Sequence, residues 1–562
     1  MKTGVRRVIL LSVLITSLWG SAASEAQTVQ IKVDAASPGK PLRHVWSYWG
    51  FDECNFAYTD GSKELMRTLS SSSKEDAYLR CHFLLNTGDG KPALKWGSTN
   101  AYTEDENGRP VYDWAIMDKI TDSIVENGCV PLVEIGFMPK ALSIKPEPYQ
   151  HTYPPDMWAG WAFPPNDYDK WAGLIKKWAE HSKERYGSIA EDKWLWELWN
   201  EPDIFYWQGT FEEYCKLFDY TEKAIHEALP NAILGGPHTT SPAYREPGRW
   251  LRRFLEHCSE GDNYATGQKG TRLDYVGFHS KGNTRFVNGH PQVDLGANLR
   301  NNRSGFEIVA GFEKYRNTPI IIGECDPEGL AALSSTVHPA NGYRNGSYYA
   351  AYEVAMMKHT IDLAEQAGVN LQGVLTWAFM FDGKQYFEGF RTLSTNGIDK
   401  PVLNGFKMLN MLDGKRVPLT SSGALGADKI IENKVRREPD IDGVATASDE
   451  MVQVVLWNYH DDIIEAEPNK VRVEIQLPSK NAGKVSVTHY RIDKTHSNAY
   501  TRWLAMGSPH EPTAEQISEF KKGALLEMLE PVRYVDVKDG IVQLDFEMPR
   551  HSVSLIEVRS SK

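Results

Sequence analysis

Between residues 79 and 410, short apolar runs alternate with longer amphipathic stretches. The runs occupy 79–85, 130–136, 193–198, 232–235, 273–278, 319–323 and 371–381. They are rich in Val, Ile, Leu and aromatic residues, as strands buried on both faces are. Between them apolar residues recur every three or four positions, at 168–186 (YDKWAGLIKKWAEHSKERY), 211–228 and 348–367, which predicts helices. Strand–helix alternation on this scale makes parallel β/α units, and seven or eight of them predict an α/β fold with a (β/α)8 barrel over residues 44–415. An open doubly wound sheet is the alternative, but no G-x-G-x-x-G follows the first strand.

After Pro418 the apolar period falls to two. Segments 451–459, 471–477, 484–490 and 541–547 alternate β-branched with polar residues between Pro, Gly and Asp, so a C-terminal antiparallel β-sandwich is expected over 416–562. An isolated strand at 29–33, within residues 27–43, is expected to join it. Residues 1–26 have the order of a secretory signal: Lys2, Arg6 and Arg7, an apolar stretch at 8–19, then small residues through Ala26. A secreted or periplasmic location is the expectation.

Composition narrows the class. At 562 residues and 41% hydrophobic, the chain has ample material for a large core, which excludes a mostly disordered protein. A net charge of -12 argues against nucleic acid or an anionic membrane as the main partner. Twelve of the 17 Trp lie between Trp46 and Trp207. Core packing accounts for most of them, and the same enrichment suits a cleft where ring faces stack on sugars. Cys54, Cys81, Cys129, Cys215, Cys258 and Cys325 are scattered through apolar runs and read as buried thiols. No metal-ligand spacing is present, and no metal or cofactor is expected.

The strongest chemical feature is LWELWNEPD at 195–203, where Asn200 and Glu201 follow a strand-like run directly. Barrel strands deliver such residues to the C-terminal mouth. A carboxyl there, walled by Trp199, Tyr206 and Trp207, is desolvated and suited to general-acid work. Glu324, in PIIIGECDPEG, stands at the end of a second strand, whereas Asp326 and Glu328 are placed beyond it in a turn. Two carboxylates on one barrel mouth are what glycoside hydrolysis requires, and their separation decides retention or inversion. Other polar groups at strand ends are His82, His238, His279 and Lys281, with Asp382 and Arg391 in the segment after the last run. A Lys and an Arg converging on one cleft would seat a carboxylate or sulfate.

Through WNEPD, ILGGP, LDYVGFHSKG, GECDP and the segment RIDKTHSNAYTRWLAMGSPHEPTAEQ at 491–516, the chain resembles glycoside hydrolase family 39, the β-xylosidase and α-L-iduronidase family, from about residue 44 to 558. The resemblance implies a retaining enzyme with Glu201 as acid/base and Glu324 as nucleophile. It implies that Asn200 binds the hydroxyl beside the anomeric carbon, that Lys281 and Arg391 hold a uronate carboxylate, and that Asp382 contacts the sugar. The expected activity is removal of a terminal uronic sugar, α-L-iduronidase-like, from an acidic oligosaccharide. β-Xylosidase activity on the same machinery is the alternative, and a non-catalytic carbohydrate-binding protein the remote one.

Overall fold

The computed structural model describes residues 28–560 apart from 153–156, 331, 379 and 479–482; the leader expected at 1–26 lies outside the described residues. Eight parallel strands close a barrel: β1 (Tyr48–Glu53), β2 (Tyr78–His82), β3 (Val130–Ile135), β4 (Leu195–Leu198), β5 (Ile233–Thr239), β6 (Tyr275–Lys281), β7 (Pro319–Asp326) and β8 (Asn370–Trp377). Each strand pairs with the next, and β8 pairs with β1. The helices α1 (Asp60–Ser72), α2 (Ala115–Glu126), α3 (Tyr168–Tyr186), α4 (Phe211–Ala228), α5 (Arg245–Glu260), α6 (Leu295–Ala310), α7 (Ser347–Ala367) and α8 (Pro401–Met411) alternate with them. Seven of these strands coincide with the predicted apolar runs. The eighth, β1 (YWGFDE), is fully buried but ends in two acids, so a search for apolar runs passes over it. The run at 79–85 stops being strand at His82, because Phe83 turns to φ +64°.

The barrel interior is layered, as inward residues from alternate strands must be. Tyr48, Leu132, Leu195, Tyr275, Ile321, Leu375 and Trp377 belong to one apolar cluster that spans more than one level. Arg80, Glu134 and Glu197, all with fully buried side chains, add a charged set inside the barrel. All six cysteines are free and buried. Most of the clustered tryptophans are core residues, Trp49, Trp171, Trp194, Trp196 and Trp199 among them.

The second unit packs two sheets over their own core, which includes Ile31, Val33, Val454, Val473, Val487, Leu544 and Ile556. One sheet centres on β9 (Asp440–Ala447), β10 (Met451–Tyr459), β12 (Lys484–Ile492) and β14 (Ser552–Ser560); the other contains β11 (Asn469–Gln476), β13 (Ile541–Met548) and the strand Val29–Asp34. The sandwich is not wholly antiparallel: Val29–Asp34 runs parallel to β11, which is possible because it arrives from the far end of the chain. Buried polar contacts join the two units, with Lys358 and His359 of α7 at 2.6 and 2.9 Å from Asp442 and Asp440. Beyond β12, Ala499, Trp503 and Phe520 pack on Phe387 and Ile398, so the C-terminal unit braces the segment after β8 that carries Arg391. Among the described residues no helix is long and apolar enough to cross a membrane.

Candidate active site

Strand register assembles the site. On the β6–β7 ladder His279 lies opposite Glu324 and Lys281 opposite Asp326. Side chains alternate along a strand, so these four share one face. Ser280 and Cys325, between them, turn the other way onto Asn298 of α6. Strand β7 runs through Asp326, which is therefore part of the mouth rather than of a following turn. Glu201 comes from β4 across the barrel, on a loop where Trp199 and Glu201 both take positive φ (68° and 44°). That conformation costs energy for non-glycine residues and must be imposed by surroundings. Here the Glu201 N–H donates to the His238 carbonyl at 3.1 Å, and the Thr210–Glu213 capping box of α4 closes the loop.

Oxygens of Glu201 and Glu324 and a ring nitrogen of His279 all lie within 4.8 Å of one another. His279 Nδ1 is 3.0 Å from Glu201 Oε1. On Glu324, Oε2 accepts from Lys281 Nζ at 2.6 Å, while Oε1 accepts from Arg80 Nη1 at 3.0 Å and lies 3.4 Å from His82 Nε2. The two carboxyls consequently titrate apart. Burial pushes Glu201 up to about 8, reinforced by the charge on Glu324 against Lys281. Burial also opposes ionisation of Glu324, but Lys281, His82 and Arg80 outweigh it and hold its carboxyl well below the usual range. Burial, with Arg80, His238 and Lys281 nearby, keeps His279 neutral despite Glu324. His82 is the reverse case: Glu134 and Asp52 overcome burial and raise it to about 10, making it an imidazolium.

Asn200 is buried beside Glu201 and accepts from Arg80 Nη2 at 3.1 Å. His238 sets its ring against Glu197. It is fully buried, 2.7 Å from Glu197, in a space that Gly277 and Gly323 leave open; a Cβ at either would come within 2.3 Å of its ring. Asp382 is not brought to the cluster. It is exposed and accepts from the Gly61 N–H at 3.4 Å in the first turn of α1, where amides lacking helical partners favour an anion. Arg391 is fully buried, donates to the Glu328 carbonyl, and has Nε 3.7 Å from Asp326 Oδ1 while Lys281 Nζ sits 2.6 Å from Oδ2. Lys281 and Arg391 therefore converge, one on each oxygen of Asp326. Glu328 is an anchor: burial opposes its charge, but Arg344 and Arg391 keep it ionised.

The residue overlooked in the sequence is Arg80. It pairs with Glu197, lies 2.8 Å from Glu134, and reaches Glu324 and Asn200. A signal was present: Arg80, Glu134 and Glu197 each interrupt an apolar strand, and a charge there must be paired with another. Arg80→Met leaves Glu197 buried without its guanidinium, and we expect a stability loss of about 3–5 kcal/mol, read as a lower urea midpoint. An unchanged midpoint would show that the remaining network re-pairs.

Comparison with known proteins places the chain in a family. The chain is 26% identical over 531 residues to a β-xylosidase of Caldicellulosiruptor saccharolyticus, covering 93% of this chain and 97% of that one. It is 24% identical over 524 residues to the α-L-iduronidase of Mus musculus, covering 87% and 75%. The fold superposes on the crystal structure of the GH39 enzyme from Xanthomonas axonopodis pv. citri with a TM-score of 0.73 at 19% identity, covering 96% of this chain and 99% of that one. The model of the family described as glycosyl hydrolases family 39 matches residues 29–535, and the chain, a glycoside hydrolase with a carbohydrate substrate, belongs to that family.

Proposed function

We propose that the protein is a retaining exo-glycosidase that releases a terminal uronic sugar. The observation that carries the reaction is the Glu201–Glu324 pair, with oxygens within 4.8 Å and opposed pKa shifts. So close a pair suits direct attack by one carboxylate, whereas inversion needs about 6.5–9.5 Å between carboxyls to admit a water. Glu324 is ionised and attacks the anomeric carbon while Glu201, still protonated at neutral pH, protonates the leaving oxygen. Glu201 then takes a proton from the water that displaces the sugar from Glu324.

The uronic preference rests on Lys281 and Arg391 flanking Asp326 beside the nucleophile. Among the described residues, Arg391 Nε and Nη2 are buried without a hydrogen-bond acceptor, and a substrate carboxylate could satisfy them. β-Xylosidase activity is the second reading. It is favoured because Asp326 and Glu328 already balance both cations, and a neutral sugar would leave that balance intact.

Paired aryl α-L-iduronide and β-D-xyloside assays separate them. Arg391→Lys keeps the charge but loses the planar fork. It is expected to lower kcat/KM for the uronide about 10- to 100-fold, the scale of one charge-assisted hydrogen bond, with little change for the xyloside. Wild-type preference for the xyloside, unaltered by this substitution, would sink the uronide reading. The charged, apolar and small-residue order of residues 1–26 supports export, and we propose an extracytoplasmic location.

A further inference from the structure

On the β1–β2 side of the mouth, Lys95 has no part in the chemistry above. His82 approaches Glu324 through Nε2, and its Nδ1 meets Asp52 at the end of β1. The other Asp52 oxygen accepts from Lys95 Nζ. Lys95 thus stands one imidazole and one carboxylate farther out than the nucleophile. Its side chain is 14% exposed, unlike the sealed Arg80, and Asp52 is the acceptor of its ammonium among the described residues. Tyr206, on the acid/base loop, lies close enough to couple to it electrostatically.

Lys95 is held there by construction. It adopts a left-handed backbone (φ +54°), imposed as its own N–H donates to the Glu53 carboxylate. Asn55 clamps the same loop twice, accepting from Ser98 N–H and donating to Ser98 O, both at 2.8 Å. Gly97 lets the loop lie against Phe83 and Cys54, where a Cβ would come within 2.9 Å of both. The segment after β1 and the loop after β2 thus lock Lys95 over Asp52.

We propose that Lys95 and Asp52 form a specificity-determining pair that binds the C3 and C4 hydroxyls of the terminal sugar. This rests on the glycosidase reading. If Glu201 and Glu324 bracket C1, Asn200 lies towards C2 and Lys281 with Arg391 towards C5, the remaining edge of the ring faces His82, Asp52 and Lys95. The ammonium has N–H groups left to donate and Asp52 can accept, which matches ring hydroxyls. It applies equally to an iduronide and a xyloside, since both carry these two hydroxyls.

The test crosses substrate with variant: an aryl glycoside that the wild type hydrolyses, its 3-deoxy and 4-deoxy analogues, and the proteins wild type, Lys95→Met and Lys95→Arg. Wild type is expected to lose about 10- to 100-fold in kcat/KM on at least one deoxy analogue, as sites built to bind a hydroxyl do. Lys95→Met should lose a similar factor on the parent, mostly in KM, but little more on that analogue, and Lys95→Arg should recover part of it. A structural role would instead lower all substrates equally, which overturns the proposal. A wild type indifferent to both deoxy analogues also overturns it, whether or not the methionine variant folds. Absence of turnover of any glycoside by the wild type would bring down the proposed function as well.

Discussion

Glu324→Ala is expected to cut turnover of an activated aryl glycoside by more than about 10⁴-fold, the scale seen when a nucleophile is removed, and added azide should restore much of it. In the intact site the carboxylate balances Lys281 on one oxygen and Arg80 with His82 on the other. Its removal leaves those cations facing a void that attracts a small anion. Azide then attacks the anomeric carbon as the bond to the aryloxide breaks, and no second displacement follows. The product should be a glycosyl azide of inverted configuration, identified by NMR. Failure of azide to rescue, or an azide of retained configuration, would move the nucleophile away from Glu324.

The second large effect concerns Glu201 and pH. A carboxyl raised to about 8 stays protonated through neutrality and loses its proton above that value. Catalysis needs the protonated form, so kcat/KM should fall on the alkaline side with an apparent pKa near 8. Glu324 must be ionised, and its depressed pKa puts the acid limb below the ordinary carboxylate range. Glu201→Gln should remove the alkaline limb and lower kcat/KM about 10²- to 10⁴-fold for poor leaving groups, as loss of general-acid help does. A dinitrophenyl glycoside, whose leaving group needs no proton, should lose far less in its first step. An alkaline limb that persists near pH 8 in the glutamine variant would assign it to another group.

Much of the site is legible in the order of the amino acids alone. Glu201 and Glu324 each follow an apolar run, and in a barrel the chain order says which end of a strand they occupy. The histidines are not separable that way. His238 and His279 both end predicted strands, yet one is buried against Glu197 and the other touches Glu201. The difference lies in irregular registers, with shifts between Pro237 and Thr239 and between Phe278 and His279. Asp382 is also beyond reach of sequence reasoning. Its side chain is claimed by the α1 N-terminus, 321 residues earlier in the chain. Arg80, Glu134 and Glu197 show how far a violated pattern can be read: an ion inside an apolar strand announces a partner without naming it.

By itself the sequence determined the fold class, the strand ends that carry the two carboxylates, and the period change into the sandwich. These follow from local periodicity, which neighbouring residues express through backbone geometry. Tertiary structure decided which carboxyl is held protonated and which ionised, because that depends on charges delivered by strands far apart in the chain. For Glu201, burial and the Glu324 charge outweigh the pull of Lys281, whereas Glu324 is in direct contact with Lys281 from β6 and Arg80 from β2. The same closure brought Lys95 over Asp52, a contact that no spacing in the chain predicts.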